Sequence, residues 1–98
     1  MKAILVRVGQ DPEAIDLSDK DAEAFAEVQH LVGGYLERAR FPEFDVYCDE
    51  DGLPKHLPRN RSGLVGTFVV LARSATMLKG LTDRQAEEAM RMFATVEV

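Results

Sequence analysis

Lys55, His56, Arg59, Asn60 and Arg61 fall in one short stretch, interrupted only by Leu57 and Pro58. Two guanidinium groups and an ammonium around an amide can grip a phosphate, a carboxylate or an acidic partner through charge-assisted hydrogen bonds. Set against this is a solvated loop whose charges offset an acidic first half, with Asn60 closing a turn through its side chain. The stretch follows Asp49-Glu50-Asp51-Gly52, which shares residue types with a calcium loop. With Gly52 at the sixth position, Tyr47 falls at the first and Pro58 at the twelfth, and neither supplies a carboxylate. Asp51-Gly52 therefore reads as a turn that uses glycine's freedom at positive φ.

Other chemistries find their residue types but not their patterns. Cys48, His56 and Asn60 match a thiol hydrolase in composition alone, and Cys48 alternates with Phe44 and Val46 as a buried structural cysteine would. One cysteine with His30 and His56 does not make a four-ligand zinc site. Gly63-x-x-Gly66 enters a strand rather than a helix, so no phosphate-cradling helix start follows it. Ser62 lacks the nucleophile-elbow pattern. No catalytic residue, metal or cofactor is expected.

The loop needs strands to hold it. Lys2 to Val8 is dense in aliphatic residues and predicts a strand buried on both faces. Gly9 to Ile15 reads as a polar connection. Ser18 or Asp19 is expected to cap a helix whose inward stripe is Ala22, Phe25, Val28 and Val32, widened by Leu31, and which Gly33-Gly34 ends. Tyr35 to Phe41 and Phe44 to Asp49 predict two strands around Pro42. In the second, Phe44, Val46 and Cys48 oppose Asp45, Tyr47 and Asp49, the alternation of a half-buried strand. Arg38 and Arg40 could face Asp45 or Asp49 across the pair. Leu64 to Arg73, the most apolar strand, belongs centrally. Leu53, Leu57 and the two prolines of the loop are expected to pin it to the sheet. Thr82-x-x-Gln85 predicts a capping box opening a helix that turns Ala86, Ala89, Met90 and Phe93 inward. Residues 94–98 read as an edge strand or a tail. The order β-α-β-β-β-α gives a single α+β domain over residues 1–98, with about four strands in a mixed or antiparallel sheet and two helices.

Composition narrows the setting. An apolar fraction of 46% with 30% charged residues is the balance of a globular chain rather than a disordered one. Arg7 interrupts the apolar start too early for a secretory leader, and the longest apolar run is too short to span a bilayer. A lone Cys48 excludes an internal disulfide and suits a reducing compartment, so a cytoplasmic protein with no membrane partner is expected. Net charge is −5, with 13 acidic against 5 basic residues in 1–51 and 4 against 7 in 52–98. Such asymmetry allows a dipolar surface, but nucleic acid is not expected as a default partner of so acidic a chain.

Four segments together resemble a known group: Met1-Lys2-Ala3-Ile4-Leu5-Val6; Val32-Gly33-Gly34-Tyr35-Leu36-Glu37; Cys48-Asp49-Glu50-Asp51-Gly52-Leu53-Pro54 with Leu57-Pro58-Arg59-Asn60; and Leu64-Val65-Gly66-Thr67-Phe68-Val69-Val70. The pattern is similar to that of the domain-of-unknown-function family 3846, small proteins found mainly in bacteriophages and bacterial mobile elements. The resemblance implies an intracellular phage-type accessory protein and brings no established catalytic residues. Gly33, Gly34, Tyr35, Glu50, Gly52, Pro58, Asn60 and Gly66 match its pattern, of which Tyr35 and Asn60 stand out as contact residues.

Two functions remain in view. One is a binding module for a host or phage macromolecule, using either the basic loop Lys55 to Arg61 or the acidic helix Asp19 to Glu27. The other is a domain holding a nucleotide-like or other anionic small ligand at Tyr35, Arg59, Asn60 and Arg61. An exposed edge strand would also allow a homodimer.

Overall fold

Ala3 to Val6 offer no polar face, and the strand they form, β1 (Lys2–Val6), is covered on both sides. The computed structural model describes residues 1–75 and 78–94. Its further elements are β2 (Glu13–Asp16), α1 (Asp21–Val32), β3 (Leu36–Arg40), β4 (Phe44–Asp49), β5 (Phe68–Ala72) and α2 (Asp83–Met92). The strands make one sheet in the order β2-β1-β5-β4-β3, and every neighbouring pair is antiparallel. The protein is thus an α+β domain. Of the expected mixed or antiparallel sheet, the antiparallel alternative holds, and about four strands is corrected to five among the described residues.

Alternation along the strands sends residues to two separate cores. Ala3, Leu5, Val69, Leu71 and Tyr47 meet Ala24, Val28 and Val32 of α1. Ile4, Val6, Phe44, Val46, Phe68 and Val70 meet Ala86, Ala89 and Phe93 at the other face, where α2 lies. Phe93 anchors that second layer, with its ring 5.1 Å from Phe68 in an edge-on pair and 5.8 Å from Phe41. Because a helix covers each face, β4 is buried at all six positions, not half-buried as its alternation implied. β5, the most apolar strand, is central as expected, although it begins at Phe68 rather than Leu64.

Four local expectations are corrected. β2 was read as connection because only Ile15 of its four residues turns inward, too little to register as a strand pattern. Helix α1 starts after Lys20, which makes no side-chain cap; Asp19 instead pairs with the amino terminus at 2.8 Å, and the Ser18 hydroxyl donates to Glu23. The buried stripe of α1 is Ala24, Val28 and Val32 with Leu31 beside it, leaving Ala22 exposed and Phe25 44% exposed. Met90 likewise lies outward on α2. The Thr82–Gln85 capping box forms in both directions, and the closing residue of α1 is Gly33 at φ +89°. The edge strand or tail expected at the carboxyl end lies, beyond Ala94, outside the described residues.

Antiparallel pairing puts the ends of β1 and β4 and the starts of β2, β3 and β5 at one end of the sheet. Three connections meet there: residues 7–12, 33–35 and 50–67. They carry Tyr35 and the loop residues Lys55, His56, Arg59, Asn60 and Arg61.

Candidate functional site

The loop leaves β4 through a carboxylate that the fold uses twice. Asp49 is buried, and its Oδ1 accepts the Asp51 amide at 2.8 Å while its Oδ2 accepts Lys55 Nζ at 2.8 Å. The Lys55 ammonium, then the Asp51 amide, hold this carboxyl below the usual carboxylate range despite burial, and Asp49 in turn raises the Lys55 ammonium. Gly34 makes room for the pair, since a Cβ there would stand 2.7 Å from Asp49 Oδ2. The amides of Gly52, Lys55, His56 and Leu57 then donate to Asp49, Asp51, Leu53 and Gly52 carbonyls in a tight coil. Gly52 is required for space rather than for positive φ: a Cβ would meet Val65 Cγ2 at 2.6 Å. Leu57 packs against Gly66, but Leu53 is 76% exposed and both prolines lie at the surface, so Leu57 alone of these does the pinning.

The second half of the loop is a small hairpin. Arg59 and Val65 form a bridge, the Asn60 amide donates to Leu64 O at 2.7 Å, and the Gly66 amide donates to Pro58 O at 2.7 Å. A 3-10 turn at Arg61–Gly63, with Ser62 at φ +59° and Gly63 at φ +76°, makes the tip. Asn60 fastens this hairpin to the sheet. Its Nδ2 donates to Val6 O at 3.1 Å and Gly66 O at 2.7 Å, and its Oδ1 accepts the Arg61 amide at 2.8 Å. Arg61 reaches across to the β1–β2 connection, donating to the carbonyls of Arg7 and Gln10.

The six residues named from sequence therefore fall into distinct settings. Tyr35, 72% exposed, and Lys55 border an open groove of about 550 Å³ with Gln29, His30, Gly34 and Asp51. Asn60 and Arg61 do not line that groove; they bind backbone at the end of β1 and beyond it. His56, at φ +57°, and Arg59 present exposed side chains on the loop. Cys48 is buried, and burial followed by the nearby Glu37 and Asp49 pushes its thiol up, the reverse of nucleophile activation. Among the described residues, no group of three or more His, Cys, Asp or Glu is placed to hold a metal ion.

Two features lie away from the loop. At the opposite end of the sheet Asp45, fully buried, accepts the Ser74 amide at 3.0 Å and lies within 3.9 Å of Arg38 and 3.8 Å of Arg40. The expected pairing of these arginines is thus with Asp45 and not Asp49, since Arg40 sits directly across from Asp45 in the ladder. The second feature is an apolar groove of about 520 Å³ between β2 and α1, lined by Ile15, Leu17, Ala26 and Leu31 with Asp16, Glu27 and His30. It was hidden because β2 itself was not recognised.

Among the described residues, no helix is long and apolar enough to cross a membrane. No curated protein and no solved structure matches the chain. A family model, described as a domain of unknown function (DUF3846), matches residues 1–94, from β1 through the end of α2. The chain therefore belongs to the DUF3846 family.

Proposed function

We propose that this protein is a small intracellular accessory module, of phage or mobile-element type, that binds a macromolecule through the acidic face of α1 and the apolar groove beside it. The observation that carries this reading is the open apolar groove beside α1, bordered by the carboxylates Asp16 and Glu27. On the basic loop, Lys55 neutralises Asp49, while Asn60 and Arg61 hold neighbouring backbone. Around the groove, Asp16 and Glu27 stand beside apolar surface, in a segment (residues 11–27) with seven acidic side chains against the single basic Lys20. Of these, Glu13, Asp19, Asp21, Glu23 and Glu27 already meet Arg7, the amino terminus, the Leu78 amide, the Ser18 hydroxyl and the Ser18 amide, respectively. A reading in which Tyr35, Arg59, Asn60 and Arg61 gather an anionic small ligand has less support, because Tyr35 borders a groove that the other three do not line.

Crosslinking in cells carrying the tagged protein, with site-specific crosslinkers placed at Ala26 or at Arg59, tests this. Adducts are expected from position 26 and not from position 59. With the crosslinking repeated in lysate, adducts from position 26 should weaken as salt rises from about 0.05 to 0.5 M, where the screening length shrinks several-fold. Adducts from position 59 that resist Glu23→Gln with Glu27→Gln would return the contact to the basic loop.

A further inference from the structure

β2 ends the sheet, and its outer side is unpaired among the described residues. The direction of its backbone groups follows from the register. Leu17 N donates to Met1 O at 2.8 Å and the amino terminus donates to Leu17 O, so Met1 and Leu17 form a mutually bonded pair. Such pairs alternate along an antiparallel ladder. Ala3–Ile15 and Leu5–Glu13 are then also bonded pairs, whereas Lys2–Asp16 and Ile4–Ala14 are not. Ala14 and Asp16 consequently turn their N–H and C=O groups outward. Directly beside this edge runs the groove floored by Ile15, Leu17 and Leu31.

We propose that β2 is a docking edge for an extended peptide segment that alternates apolar with lysine or arginine residues. This rests on the acidic α1 face as the contact surface and adds the chemistry and geometry of what it holds. The segment adds a sixth strand, bonding to the outward groups of Ala14 and Asp16. Its apolar side chains enter the groove against Ile15, Ala26 and Leu31, and its cations, on the opposite face, meet Asp16. The seven acidic side chains of residues 11–27 select such a segment. They also disfavour a second copy at the same edge, because self-pairing would bring two like-charged borders together.

The probe is a capped peptide of about ten residues alternating valine and lysine, long enough for one added strand, with a valine–glutamate peptide as control. Binding is followed by amide hydrogen exchange and by titration at low salt. Binding of the lysine peptide is expected, with slowed exchange at Ala14 and Asp16. Ala14→Pro removes an outward N–H and leaves the ladder to β1 intact, and should weaken binding about tenfold. Ala26→Arg, on the exposed rim, should do the same. Equal binding of the glutamate peptide, or binding unchanged by Ala14→Pro, overturns the proposal. Lysine-peptide binding that slows exchange along α1 but not at Ala14 and Asp16 overturns strand addition while leaving the acidic contact face standing. No binding of either peptide overturns the proposal, and the crosslinking from Ala26 then decides the contact face independently. A dimer by light scattering that Ala14→Pro converts to monomer gives the edge to a second copy and likewise overturns it.

Discussion

The basic loop and the β2–α1 border differ in where their bonding capacity points. Asn60 is directed into the protein, toward Val6, Gly66 and Arg61, and the Lys55 ammonium meets the buried Asp49. At the border, the backbone of Ala14 and Asp16 faces outward, and Ile15, Ala26 and Leu31 line an open groove. A cluster of cations is thus not in itself a binding surface. What matters is whether the fold has already supplied the partners.

The sharpest way to break this comparison is Asn60→Ala. If Asn60 is a structural clamp, its loss leaves Val6 O and Gly66 O without their donor and should destabilise the fold by about 2–4 kcal/mol, read as a fall in the urea midpoint. A stable Asn60→Ala variant would return Asn60 to the list of contact residues. Gly34→Ala comes next. Its Cβ would press on the Asp49 carboxylate, and a loss of about 1–3 kcal/mol is expected by the same measurement.

Acid titration sharpens the role of the Asp49–Lys55 pair. The folded carboxyl of Asp49 is held low, so between its folded and ordinary values the unfolded chain binds the extra proton. Its contribution is complete above the ordinary carboxylate range and disappears as pH falls through the folded value. Asp49→Asn should flatten the acid limb of stability against pH; an unaltered limb would remove the pair from the account. For Lys55 the sign is opposite, with its contribution present at neutral pH and lost as pH rises through its raised value. Smallest of all, Arg59→Ala and Leu53→Ser should change stability by no more than about 0.5 kcal/mol, since both side chains are exposed. A larger loss from Arg59→Ala would show a structural duty on the loop's remaining arginine.

What the sequence revealed follows the physics of each signal. Short-range chemistry was legible: Thr82 and Gln85 formed their capping box, and Gly33 closed α1. Signals that depend on a distant partner were not. Asp45 and Asp49 looked like the solvent side of β4, with only Arg38 and Arg40 expected to face either, because Ser74 and Lys55, which also meet them, come from other segments. Phe25 looked like core because helical spacing defines a stripe without saying which side of it meets the sheet. The basic loop read as a site for the same reason, since, Gly66 O aside, the backbone carbonyls that occupy Asn60 and Arg61 lie on a strand end and a loop more than fifty positions away. The apolar groove could not be read until β2 was known to border it.

The central place of β5 also governs the order in which the molecule can be built. The β1–β2 and β3–β4 hairpins join neighbouring segments, whereas β5 pairs with β4 and with a strand laid down at the very start of the chain. Until residues 68–72 have been synthesised, the two hairpins have no common strand, and β1 waits with an apolar edge uncovered. Closing so long a loop is the slow step expected of a sheet with non-local pairing. Truncation on Val70 should therefore retard refolding, while truncation on Ile15 should chiefly hasten unfolding, a difference that stopped-flow measurements on the two variants would resolve.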